Sequence, residues 1–185
     1  MSQTTPQVDI IDLLVQDHRE VERLFSQIET GMGADRGSLI EKVVEELSVH
    51  AAVEEQVLYP AVRKEVPGGD ELADHSIEEH QELKELLVSI ERADPNDPET
   101  DQLLTQLMGT LREHVQDEEG DLFPKLRTAA PDQLGELGEA AEKAKKMAPT
   151  HPHPHAPTSP PGNVVAGAAA AVMDKARDAL SKDKS

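Results

Sequence analysis

Cysteine is missing from all 185 residues, which excludes disulfides, thiolate zinc sites, iron–sulfur clusters and cysteine nucleophiles. Any bound metal has to sit on nitrogen and oxygen. Tryptophan is absent too, and one tyrosine and two phenylalanines are the whole aromatic complement. The core is therefore expected to be Leu, Val, Ile and Ala, which suits packed helices. Basic residues are scarce: 18 Lys and Arg stand against 37 Asp and Glu, for a formal net charge of -19. The phosphate-binding footprint of nucleic-acid proteins is missing, so neither nucleic acid nor an anionic membrane is an expected partner. No apolar run reaches transmembrane length, and Met1 to Asp9 has neither a basic region nor an apolar stretch to direct export. The cytoplasm is the expected compartment. At this length one domain with a sizeable core plus some appended sequence is expected.

Between Asp9 and Arg127 apolar residues recur at three and four, and the breaks fall where turn chemistry is dense. The pattern predicts four helices. The first carries Leu14, Val15, Val21, Leu24, Phe25 and Ile28 and ends at Gly31-Met32-Gly33. The second opens on Ser38, with Glu41 three residues later as in a capping box. Pro60 is expected to kink or end it, and Pro67-Gly68-Gly69 closes it. The third runs through Leu72, Ile77, Leu83, Leu87 and Ile90, and the fourth starts at Asp97-Pro98 and carries Leu104, Leu107, Leu111, Val115 and Leu122. Links this short favour antiparallel neighbours, so the expected fold is an all-α, antiparallel up-down four-helix bundle over 9–128. Residues 129–147 read as a short helical extension and 148–162 as a Pro/His-rich linker containing His151-Pro152-His153-Pro154-His155. Residues 163–185 read as an amphipathic C-terminal helix or a mobile tail, with Val165, Val172, Met173, Ala176 and Leu180 able to line one face.

The chain repeats itself inside the bundle. His50-Ala-Ala-Val-Glu54-Glu55-Gln-Val-Leu58-Tyr59-Pro60 is echoed 64 residues later by His114-Val-Gln-Asp-Glu118-Glu119-Gly-Asp-Leu122-Phe123-Pro124. Asp17-His18-Arg19-Glu20-Val21 is echoed 62 residues later by Glu79-His80-Gln81-Glu82-Leu83. Two helix pairs related by duplication give a bundle with approximate two-fold symmetry, and a site on its axis has two similar halves.

His18, His50, His80 and His114 each sit in the apolar stripe of their own helix, so all four helices aim an imidazole at the core. Glu54 and Glu118 follow His50 and His114 by four residues, which stacks each carboxylate one turn along on the same face. A lone buried histidine is more often a hydrogen-bonded core residue than a ligand. Two buried glutamates in the same place change that balance. Uncompensated they cost several kcal/mol each, and neutral imidazoles supply no charge, whereas divalent or trivalent cations do. Imidazole plus carboxylate without sulfur suits iron, manganese or zinc. Glu55 and Glu119 are expected to face solvent or to stand just outside the ligands, and Tyr59 either to orient a ligand or to pack like its counterpart Phe123.

There is no HExxH, no His-Asp dipeptide and no ExxH pair, which sets aside metalloproteases, helical phosphohydrolases and ferritin-like di-iron bundles. The order H…HxxxE…H…HxxxE, with the double HxxxEExxL[Y/F]P, resembles the hemerythrin HHE cation-binding family over Asp9 to Arg127. The resemblance implies two iron ions sharing an oxo or hydroxo group, with His18, His50, His80 and His114 as terminal ligands and Glu54 and Glu118 as bridges. Oxygen-carrying hemerythrins have a further histidine one turn before the ligand on the third helix, where this chain has Ser76. The nearest histidine, His75, lies about 140° around a regular helix from His80, so it ligates only through a π-bulge or a later helix start capped by Ser76 and Glu79. With four histidines, two bridging carboxylates and a bridging oxygen, about two of twelve coordination positions stay open. That count suits turnover of hydrogen peroxide or nitric oxide better than reversible carriage of O2. A module that binds, stores or senses oxygen or iron is the alternative, and a structural zinc bundle is a third reading that open positions disfavour.

Overall fold

A computed structural model describes residues 8–31 and 35–182. Residues 1–7, 32–34 and 183–185 lie outside it, and with them most of the N-terminal stretch, the Met32-Gly33 part of the first turn and the end of the tail. The described chain is helical, without strands. Helix α1 spans Ile10–Thr30 and α2 spans Arg36–Val53; a π-helical turn, Glu54–Leu58, carries α2 directly into α3, Tyr59–Glu65. Helix α4 spans Gly69–Arg92 and α5 spans Pro98–Asp117, which runs through a second π turn, Glu118–Leu122, into α6, Phe123–Ala129. A 3-10 turn at Pro131–Gln133 leads to α7, Leu134–Met147, and a helix-free connection leads to α8, Gly162–Lys182.

Side-chain caps fix the starts. Asp9 accepts from the Asp12 amide, and Asp97 accepts from the Glu99 amide ahead of Pro98. Helix α2 starts two residues before the predicted Ser38, because Asp35 is the cap and accepts from the Ser38 amide. Gly31 ends α1 in the left-handed region, at φ 63°. Gly69 admits no side chain: a Cβ there would lie 2.1 Å from the Val62 carbonyl oxygen, so glycine lets the first turn of α4 close on α3.

Pro60 does not end its helix. It has no N–H to donate, and the backbone widens by one residue in the preceding turn, where the Tyr59 amide reaches back five residues to the Glu54 carbonyl. Pro124 does the same in the duplicate, with the Phe123 amide on the Glu118 carbonyl. In both halves the widened turn begins at the glutamate that follows the buried histidine.

The core falls into two apolar clusters. One holds Ile10, Leu14, Val53, Leu58, Val62, Ala73, Leu122 and Leu126; the other holds Val21, Phe25, Leu39, Val43, Leu87, Leu107 and Leu111. Along α1 and α4 the chain passes from the first cluster to the second, and along α2–α3 and α5–α6 it returns, which is the up-down-up-down order. His18, His50, His80 and His114 fall in the gap between the clusters on every rod.

Helix α7 packs on α1, α2 and the first π turn through Leu134, Gly138 and Ala141. A Cβ at Gly138 would collide with the Val8 carbonyl, so glycine is what admits this contact. Helix α8 docks on the bundle with a face unlike the predicted one. Asn163, Ala171 and Asp174 point inward, while Val165, Val172, Met173 and Ala176 are exposed and the Leu180 side chain lies outside the description. Polar contacts set that choice. Asp174 accepts from the Thr150 and His151 amides, and Asn163 donates at 2.9 Å to the Glu55 carbonyl, which Pro60 cannot serve. Among the described residues no helix is long and apolar enough to cross a membrane.

Candidate metal centre

The four rods bring His18, His50, His80, His114, Glu54 and Glu118 together, all of them buried. They form two overlapping sets that can hold a metal ion: His18, His50, Glu54 and Glu118, and Glu54, His80 and His114. Every imidazole turns Nε2 inward. His18 and His50 place these atoms 3.1 Å apart, and His80 and His114 place theirs 3.2 Å apart.

Glu54 lies between the pairs and is fully buried. Its Oε1 is 3.1 Å from His50 Nε2 and its Oε2 is 3.2 Å from His80 Nε2, yet neither oxygen makes a hydrogen bond, because the angles are wrong. The six groups thus converge on one centre, where both oxygens of Glu54 are left without a hydrogen bond. Glu118 turns Oε2 to the centre, 3.5 Å from His18 Nε2 and 3.6 Å from His114 Nε2, and that oxygen also lacks a hydrogen bond. Its Oε1 accepts at 3.1 Å from the Tyr59 hydroxyl, which lies 3.0 Å from His80 Nε2. Phe123, the duplicate of Tyr59, has no hydroxyl and stacks on His18 with ring centroids 5.9 Å apart. The two halves are therefore alike in their buried histidines and glutamates and unlike here.

Without metal the charge is balanced by protons. Burial opposes a charge on His50, but Glu54 and Asp17 outweigh it and push its pKa up to about 10. His80 is likewise pushed up to about 9 against burial by Glu54 and Glu55. Burial also opposes ionisation of Glu54, and His50 and His80 overcome it to hold the carboxyl well below its ordinary value. The sequence argument that imidazoles supply no charge holds for neutral rings only; the raised values of His50 and His80 favour their charged forms when no metal is bound. Burial, then Glu118 and Glu54, raise Tyr59 well above 10, so it stays a donor.

A ring of four carboxylates surrounds the imidazoles, one on each Nδ1. Glu119 is 2.9 Å from His18, Glu55 is 3.0 Å from His80, Glu79 is 2.8 Å from His114 and Asp17 is 3.4 Å from His50. Such partners fix ring orientation and turn Nε2 to the centre. Glu55 and Glu119 were expected at the surface or just outside the ligands, and they stand just outside. Asp17 and Glu79 escape the sequence reading as site residues, although each directly precedes a histidine in the repeated Asp17-His18 and Glu79-His80 dipeptides. Their partners are not those neighbours but His50 and His114, across the helix interface.

His75 is not brought to the centre. Helix α4 is regular from Gly69 onward, Ser76 Oγ donates to the Leu72 carbonyl instead of capping, and the His75 side chain is 60% exposed. A cavity of about 10 Å³ borders His50, His80 and His114 and is walled by Leu47, Leu83, Leu87 and Leu111.

The hemerythrin HHE cation binding domain model matches residues 9–126. An uncharacterized hemerythrin-like protein of Schizosaccharomyces pombe is 33% identical over 94% of this chain and 87% of its own length. A DNA nickase of Nostoc sp. is 30% identical over 75% of this chain, which spans 39% of that protein. The crystal structure of a hemerythrin HHE cation binding domain-containing protein from Mycobacterium kansasii superposes with a TM-score of 0.65 at 22% identity, covering 75% of this chain and 86% of that one. The chain belongs to the hemerythrin HHE cation-binding family.

Proposed function

We propose that the protein binds two iron ions and uses them to turn over hydrogen peroxide or nitric oxide. His18, His50, His80, His114, Glu54 and Glu118 would hold the pair. The observation that carries this reading is Glu54, fully buried, with one oxygen toward each histidine pair and no hydrogen bond on either. When bound, the ions would supply Lewis acidity and reversible one-electron change next to each other. The chain's own part is positional. Asp17, Glu55, Glu79 and Glu119 lock the imidazoles, Tyr59 pins one oxygen of Glu118 and keeps its proton, and the four leucines around the small cavity exclude bulk water. The cavity has room for about one water-sized molecule beside three of the histidines.

His75 on the surface leaves four histidines for two ions, and the open positions this creates favour turnover over carriage. The relative that is a DNA nickase suggests no nucleic-acid chemistry for this chain, whose charge of -19 repels phosphate. Metal analysis of the isolated protein together with its absorption spectrum tests the reading. Two irons per chain with the near-ultraviolet charge-transfer bands of a coupled ferric pair are expected, as is peroxide loss or nitric oxide consumption on mixing. One zinc per chain without those bands refutes the site, and a stable reversible oxygen adduct without turnover refutes the activity.

A further inference from the structure

Three of the four carboxylates around the centre are matched by a Lys or Arg. Lys145 lies 2.5 Å from Asp17, Lys84 lies 2.6 Å from Glu55 and Arg19 lies 2.7 Å from Glu119. Among the described residues Glu79 has no such partner. Its Oε2 is bonded to His114 Nδ1, and its Oε1 faces outward, 3.5 Å from His75 Nε2. Asp117 brings Oδ2 to within 3.6 Å of the same nitrogen. These three donors lie within 4.8 Å of one another, on the open α4/α5 face, with His75 and Asp117 each 60% exposed.

The duplication makes the difference specific to this half. Offsets of 62 and 64 place Leu13, Asp17 and Val53 where this half has His75, Glu79 and Asp117. Leu13 and Val53 are core residues there, and α7 supplies Lys145 to Asp17. The same outer carboxylate is thus countered by a fixed cation in one half, and in the other it faces an imidazole and a second carboxylate with its outward oxygen. That arrangement calls for a positive charge from solution. Its spacing fits one, because donors at about 2.0–2.2 Å from a tetrahedral ion lie roughly 3.4 Å apart.

We propose that His75, Glu79 and Asp117 form a third metal site, solvent-facing, which takes a divalent first-row cation and passes it to the buried pair. Glu79 joins the two places, with one oxygen on the outer ion and the other on His114. One nitrogen and two oxygens suit such an ion, and water completes the coordination. The outer site stands on its own residues; its loading role rests on the two-metal reading of the centre.

The test titrates metal-free full-length protein with Co(II), followed by equilibrium dialysis and the visible cobalt bands, beside the double variant His75→Ala/Asp117→Asn. Both residues are exposed, so the fold is unaffected. Wild type is expected to bind three ions, the third at least about tenfold more weakly because its donors are few and solvated, and the variant two. Stopped-flow filling of the buried pair is expected to be several-fold slower in the variant, to the same end point. Two ions in both proteins, or three in both, overturns the outer site. Equal filling rates overturn its loading role. One ion in wild type and none in the variant upholds the outer site and refutes the buried pair instead.

Discussion

Tyr59→Phe is the most informative single perturbation of the centre, because it removes one oxygen atom from one half and nothing from the other. The Tyr59 hydroxyl is buried and, among the described residues, is the sole hydrogen-bond donor to Glu118, whose second oxygen has none. In the metal-free protein the substitution leaves a buried carboxylate without a hydrogen bond. A bond to a charged group contributes about 1.5–3 kcal/mol, and a phenylalanine ring fills the same space without a cavity. At this size each kcal/mol moves Tm by about 2–4 °C, so metal-free Tyr59→Phe is expected to melt roughly 3–12 °C lower. With ions bound, Glu118 has another partner and the loss is expected to shrink below about 1 kcal/mol. Thermal denaturation by circular dichroism, with and without metal, reads both numbers. Equal melting of the two metal-free proteins, or a larger loss in the loaded form, refutes the role given to the hydroxyl.

Metal binding is expected to release protons. His50 and His80, pushed up to about 10 and about 9, are charged at pH 7.5 and must lose those protons to ligate. Calorimetry in buffers of different ionisation enthalpy is expected to find about two protons released, with affinity rising with pH; no release contradicts it. In the metal-free protein the same raised values stabilise the fold below about 6.5, a contribution lost as pH climbs through about 9 and then 10. The linker has a similar dependence. Burial opposes a charge on His151, but Asp178 and Glu91 raise its pKa above 6.5, so this contribution to docking is full below 6.5 and lost as pH rises past the raised value. Nuclear magnetic resonance titration is expected to return His151 toward 6.5 in Asp178→Asn, and an unchanged titration argues against the contact. Asn163→Ala leaves the Glu55 carbonyl unserved at a cost of about 1–3 kcal/mol, which speeds amide exchange in α8 by roughly 5- to 150-fold if α8 opens as a unit. Exchange at the wild-type rate shows that α8 is held by other contacts.

Much of the centre was legible in the chain itself. Four apolar stripes with a histidine in each, and a glutamate one turn after two of them, follow from helical periodicity, which is local. The exposure of His75 follows from the same geometry once α4 is regular, since five residues turn a helix about 140° away from His80. What the chain does not reveal depends on neighbours distant in sequence. Asp17 adjoins His18 but orients His50, and Glu79 adjoins His80 but orients His114, because antiparallel packing sets each carboxylate against the next rod. The continuation through Pro60 needed the widened turn and the support of Asn163, which bonds the Glu55 carbonyl 108 residues before it, and α8 docks by polar bonds that no apolar pattern predicts. The identity and inward direction of the six buried histidine and glutamate side chains were thus determined by sequence alone. Which outer carboxylate each histidine meets, and which of those carboxylates finds a fixed cation, only the tertiary structure decided, since charge pairing is settled by the distances that packing imposes.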